Sequence, residues 1–182
     1  MTTLRGKSCH ALFQGGPRDS ERGQIMIAGA VFLLIVILIA GGLLDIYRLQ
    51  EARDWAYRAA EAAALSGVAR GRDFAPVYGG GSARIDPGLG RLAAEETLQV
   101  ELTQRGLTGA GYQIEVSEWG SDLFTNFPPV ARADLWQARD WQPVAPSVGV
   151  YVEIPLQTFL LGLTRQGVIT VHAFAAASLG RQ

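Results

Sequence analysis

The chain has 182 residues, enough for one ordinary domain and an anchor. Its formal net charge is −1 and its pI about 6.1, which excludes an electrostatic footprint for nucleic acid. Lys7 is the only lysine, a compositional bias toward arginine without functional content. The single cysteine, Cys9, excludes an internal disulfide and a thiolate zinc cluster. Met1–Ser8 offers no apolar stretch just before it, so it reads as an inert tail residue and not as a lipidated one.

In chain order, the first strong signal is Ile25–Leu44, IMIAGAVFLLIVILIAGGLL, which carries neither a charge nor a proline. A helix of that length spans about 30 Å, the thickness of a bilayer core. The core helix of a soluble domain would carry a polar stripe, and this run has none. A cleaved signal peptide would end a run of about 7–15 apolar residues at a small-residue cleavage site. This run is longer and passes directly into helical sequence holding Asp45, Arg48, Glu51 and Arg53, so an uncleaved signal anchor is expected. Arg5, Lys7, Arg18 and Arg22 precede the run, and Arg48, Arg53 and Arg58 follow it. The positive-inside bias is therefore slight. The short N-terminal side is the easier one to leave in the cytoplasm, which predicts N-in, C-out.

From Asp45 the helical pattern continues to about Arg70 without a proline. Tyr47 lies where an interfacial aromatic is expected. Ala59, Ala60, Ala62, Ala63 and Ala64 make a face on which another helix can approach closely, from a partner or from later in the chain. Alanine as a plain helix former accounts for the same residues equally well.

Glu21-Arg22-Gly23-Gln24, the apolar run, Gly42-Leu43-Leu44-Asp45, Arg48 and Ala59-Ala60-Glu61-Ala62-Ala63-Ala64-Leu65-Ser66-Gly67 follow one another in an order that resembles the N-terminal module of TadE/TadG-like proteins of tight-adherence (Flp) pilus assembly. That family begins with an RGQ-type start, then a membrane helix, an aspartate–arginine pair and an alanine-rich helix. Glu61, Ser66 and Val68 depart from its pattern by chemically near replacements. Ala28 stands where pilins carry a glutamate, which argues against pilin-style processing and assembly. No DxSxS metal motif of the larger TadG-type relatives occurs, so no such metal site is expected.

Arg72–Leu89 is punctuated by glycine and proline around Gly79-Gly80-Gly81-Ser82. It lacks the Gly-Lys-Ser/Thr of a phosphate loop and reads as a linker or turn. Asp86-Pro87 can start a helix over about Leu89–Gln104, with Leu89, Leu92, Ala93 and Val100 on one face and Leu98 and Leu102 elsewhere. Gly106 is its stop signal. Gln113–Trp119 alternates as a strand does. Phe124–Pro146, with Phe124, Phe127, Trp136 and Trp141, reads as an irregular, partly packed loop. Strand patterns return at Val148–Pro155 and Val168–Ala176, the latter pair joined through Leu156–Gln166. The last portion also resembles the ends of TadE-like proteins.

Chemistry-bearing sets are not apparent. His172 shares parity with Thr170 and Phe174 and reads as a sheet histidine. Glu115 and Glu118, three apart on a strand, would face opposite sides. Glu95 and Glu96 read as a solvated face, and Asp134 and Asp140 as loop charges. No serine or cysteine is spaced for a triad, so neither catalysis nor a cofactor is expected.

The expected fold class is α+β: a transmembrane helix extended by a second helical stretch, then a small antiparallel sheet packed with one helix, a pilin-like plan. The expected organisation is a cytoplasmic tail over 1–23, disordered to about Ser20; the membrane helix and its extension over 24–70; a linker over 71–90; and an extracytoplasmic α+β domain over 91–182. The resemblance implies a scaffolding component of a pilus or secretion apparatus in the bacterial inner membrane. Its family-motif positions are Arg22, Gly23, Gln24, Asp45, Arg48, Ala59, Ala60, Ala62, Ala63, Ala64 and Gly67. Its partners would be the membrane, other assembly proteins and further subunits, homo- or hetero-oligomeric, with no nucleic acid. Ala28, Gly29, Ala30, Gly41 and Gly42 are candidate helix-packing residues. The competing expectation is a membrane-tethered binding or sensing module using Trp119, Trp136 and Trp141.

Overall fold

The computed structural model describes residues 18–107, 109–129, 140–160 and 168–180, with side chains described from residue 24 onward. The expected disorder of the tail before residue 18, the loop residues Asp134 and Trp136, and most of the connection over 161–167 lie outside the described residues. The chain falls into two compact units, Met1–Ala40 and Gly41–Gln182.

In the first unit every described residue belongs to helix α1 (Arg18–Gly71). Each side chain from Gln24 to Ala40 is exposed. Mean hydropathy reaches 2.9 in a window of α1 that is only 6% buried, so the helix is long and apolar enough to cross a membrane.

The second unit is α+β. The remainder of α1 leads to strand β1 (Arg72–Asp73), the single turn α2 (Ala75–Tyr78), strand β2 (Arg84–Ile85), helix α3 (Pro87–Gln104) and strands β3 (Gly111–Ser117), β4 (Ser147–Gln157) and β5 (Val168–Ser178). β1 and β2 pair antiparallel, and β3-β4-β5 form a three-stranded antiparallel sheet with β4 at its centre.

The sequence signals for α3 act as expected. The Asp86 carboxylate accepts the Leu89 N–H at 2.9 Å, and Pro87 occupies the first turn where its missing N–H costs nothing. At the other end Gly106 takes φ +64°, so the Gly106 N–H reaches the Thr103 carbonyl and the Leu107 N–H the Leu102 carbonyl. That pair of bonds is a Schellman stop, and it needs the left-handed backbone that glycine supplies.

The face of α3 differs from the expectation. Gly90, Ala93, Ala94, Leu98 and Leu102 are buried, whereas Leu89, Leu92 and Val100 are exposed. The reason is the neighbour. α1 presents alanines and Gly67, so α3 comes close only with small residues at its N-terminal half. A Cβ on Gly67 would meet the Gly90 carbonyl oxygen at 2.8 Å, and one on Gly71 the Gly90 Cα at 2.8 Å. Beyond the close approach the helices leave room, which Leu98 and Leu102 fill. Thr97 Oγ1 crosses to Ser66 Oγ at 2.9 Å.

The first half of β4 is buried on both faces of the sheet. Val148, Val150, Val152 and Ile154 alternate toward α1 and α3, each with no exposed surface. On the other face Tyr151 joins Phe127 and Trp141, with Phe124 and Phe174 packed against them. Gly149 makes room for that aromatic layer, because a Cβ there would lie 2.9 Å from the Trp141 ring. The loop aromatics Phe127 and Trp141 are thus a second small core, 3% and 9% exposed.

The segment over 71–90 is more ordered than a linker. Ile85 is fully buried, the Asp86 N–H bonds the Gly71 carbonyl, and the Ile85 N–H bonds the Glu118 carbonyl. Arg84 contacts Asp73 Oδ2 and Glu118 Oε1, both at 2.9 Å, and lies over the Trp119 ring. These contacts tie the hairpin to the end of β3. The Ala75 backbone N–H, and after it Arg84, hold the Asp73 carboxyl below its ordinary range.

Candidate functional site

The residue of most consequence is Asp45. It immediately follows the apolar run, and a carboxylate there would ordinarily point to water. Instead it is 1% exposed. Its Oδ1 accepts the Phe159 N–H at 2.8 Å, and its Oδ2 accepts the Leu160 N–H at 2.6 Å. Those two donors begin the connection after β4, where the ladder no longer supplies partners, and charge-assisted bonds of this kind are the stronger class. Asp45 therefore clasps the β4–β5 connection to α1.

Gly41, one helical turn earlier, is buried in the same arrangement. A Cβ on it would stand 2.6 Å from Leu160 Cδ1 and 3.6 Å from Phe159 Cδ1. The missing side chain leaves the space that the Leu160 side chain occupies. Gly41, expected to serve packing between subunits, thus packs on its own chain. Gly29 and Gly42 differ from it, since an added Cβ at either would meet nothing within 4 Å. Ala28 and Ala30 are also exposed.

The other family-motif positions divide in the same way. Ala59, Ala60, Ala63 and Ala64 are buried in the main core, and Gly67 sits at the close approach to α3. Of the two explanations for the alanine-rich face, packing against later elements of the same chain is the one the structure contains. Ala62 is half-buried and Gln24 is exposed; Arg22 and Gly23 lie in the first turns of α1.

Arg48 is exposed and lines a cleft of about 350 Å³ together with Glu51, Trp55, Arg105, Ile154 and Thr158. The Arg105 guanidinium sits 5.0 Å above the Trp55 ring, which fixes it at the rim. Thr158 Oγ1 is buried without a hydrogen-bond partner. This lining offers mixed apolar and cationic surface, with Glu51 as its one carboxylate and no histidine among the described residues.

Elsewhere, His172 is exposed on the outer sheet face, and its Nδ1 lies 2.7 Å from the Tyr151 hydroxyl. Burial, with the Glu153 charge behind it, pushes the Tyr151 phenol up to about 12. Glu115 and Glu118 do not form a pair; Glu118 is engaged with Arg84. Trp119 is 48% exposed, whereas Trp141 is in the aromatic layer, so those two do not make one surface. Among the described residues no three of His, Cys, Asp and Glu converge as metal ligands.

The described residues make an α+β protein with one helix long and apolar enough to cross a membrane, and within the second unit a buried aspartate clasps the connection after β4 to α1. The chain matches no family model, no curated protein and no solved structure.

Proposed function

We propose that the chain is a membrane-anchored assembly subunit of a Flp-type (tight-adherence) pilus or a related secretion apparatus, acting by scaffolding. The apolar half of α1 holds it in the bacterial inner membrane, with the N-terminus in the cytoplasm and the α+β unit outside. The observation that carries this reading is the coincidence of motif and packing. Asp45, Ala59, Ala60, Ala63, Ala64 and Gly67, positions on which the TadE/TadG resemblance rests, are among those through which α1 builds the interior of the α+β unit, beside Trp55, Ala56 and Val68. Such a motif describes a way of mounting a domain on a membrane helix, which is what a scaffold subunit requires.

Subunits would meet through the open small residues Ala28, Gly29, Ala30 and Gly42. The test is a gentle-detergent pull-down of tagged protein from its native membranes, with mass spectrometry of what accompanies it. Recovery of a secretion ATPase, an inner-membrane platform protein or the Flp pilin is the expected result. Recovery of the protein alone, or with a receptor-type partner, would confine the resemblance to the anchor.

A further inference from the structure

The β4–β5 connection carries two large apolar side chains at an unusual height. Asp45 holds the Phe159 and Leu160 backbones at the level of the first residue past the apolar run. From there the two side chains extend back along α1 to Gly41, three residues inside that run. One turn of helix is about 5.4 Å, so Gly41 lies at hydrocarbon depth if Ile25–Leu44 spans the bilayer. Phe159 is 70% exposed there, and Leu43 and Leu44 on the same stretch of α1 are 62% and 61% exposed. Apolar surface of this kind is costly in water and matched in lipid.

The backbone supports the same conclusion. Non-helical backbone is tolerated at membrane depth only where its polar groups are satisfied by protein. Asp45 satisfies two of them, and Gly41 leaves room for the Leu160 side chain against the helix.

We infer that Phe159 and Leu160 insert into the bilayer beside α1, giving the protein a second grip on the hydrocarbon. The occupant of this apolar surface is lipid. The inference rests on the membrane-anchor reading and adds a specific depth to it. Its consequence is rotational: a lone helix can swivel and tilt, whereas two attachments fix which face of the α+β unit points along the membrane.

Accessibility of single labels tests this directly. The full chain, with Cys9→Ser, receives one cysteine by F159C, V144C or F32C, is labelled with an environment-sensitive nitrobenzoxadiazole dye and is reconstituted in phosphatidylcholine–phosphatidylglycerol vesicles. Phe159, Val144 and Phe32 are 70%, 84% and 69% exposed, so labelling disturbs no core. Position 159 is expected to be quenched by lipids spin-labelled near the headgroup, with iodide quenching on the order of fivefold weaker than at position 144. Iodide quenching at 159 equal to that at 144, with position 32 shielded by lipid, would overturn the inference and leave the anchor intact. Iodide access at position 32 would remove the anchor itself and the inference with it. Shielding of 159 from both quenchers would also overturn it, because protein would then cover the site.

Discussion

The two halves of α1 are built from opposite materials. From Ile25 to Leu44 the large apolar side chains are 46–77% exposed, while Ala56, Ala59, Ala60, Ala63 and Ala64 are 0–2% exposed. Hydrophobicity alone would rank the first half as the better core, yet its large side chains are the exposed ones. Size decides instead. Alanine and glycine let a second backbone approach, so α3 and the sheet close on that half and make a dense interior. Leucine, isoleucine and phenylalanine all around a helix match a solvent of hydrocarbon. One continuous helix thus carries an apolar, exposed surface over its first half and a packed face over its second, with Asp45 at the junction.

Variants can break this contrast at graded cost. The largest effect is expected at Leu98, the fully buried side chain that fills the gap beyond the small-residue crossing. Leu98→Ala should cost about 2–5 kcal/mol, read as a lowered thermal midpoint of the α+β unit in detergent micelles. Leu92→Ala on the same helix, 50% exposed, should change the midpoint little, within about 0.5 kcal/mol. Equal losses at the two positions would contradict the face assigned to α3.

Asp45→Ala comes next. It leaves the Phe159 and Leu160 N–H groups without their acceptor, at about 1–3 kcal/mol. Its readout is local: limited proteolysis should cut after β4 in the variant before it cuts elsewhere, and an unchanged cleavage pattern would contradict the clasp.

The smallest effect is alkaline and concerns the outer sheet face. The Tyr151 phenol titrates at about 12 in the folded chain, against an ordinary value of 10.0. Between those values the unfolded chain loses the proton and the folded chain keeps it, so stability is fully present below about pH 10 and falls as pH rises toward about 12. Unfolding midpoints across that window should decline less steeply in Tyr151→Phe than in the parent chain. Parallel declines would place the alkaline sensitivity elsewhere.

The sequence carried local information faithfully. Asp86-Pro87 and Gly106 mark the ends of α3 through bonds that span at most five residues, and alternation located β3, β4 and β5 within about two residues of each observed end. What escaped was set by distant partners. Leu89, Leu92, Ala93 and Val100 fall on one face by helical spacing, yet of these only Ala93 is buried, because the face turned to the alanines of α1 is Gly90, Ala93, Ala94, Leu98 and Leu102. The segment over 71–90 looked loose because glycine is plentiful there, yet Arg84 and Ile85 are secured by Glu118, more than thirty residues later. Asp45 was visible as a motif position without a task, because its two donors lie 114 and 115 residues away. The available signal was physical: an acid at the end of an apolar run is costly unless something nearby needs its oxygens.

The central claim is that α1 passes from lipid to protein within one helix, and cysteine scanning of α1 in intact membranes tests it most directly. Single cysteines from position 25 to position 66 are challenged with a membrane-impermeant maleimide added on either side. The account predicts a block of unreactive positions around the whole helix through Leu44. Beyond it, reactivity should become periodic, with Asp54, Tyr57, Arg58 and Glu61 labelled and Ala56, Ala59, Ala60, Ala63 and Ala64 protected. Periodic reactivity continuing upstream through Ile25–Leu44 would mean that water reaches one side of that half, and would contradict the account.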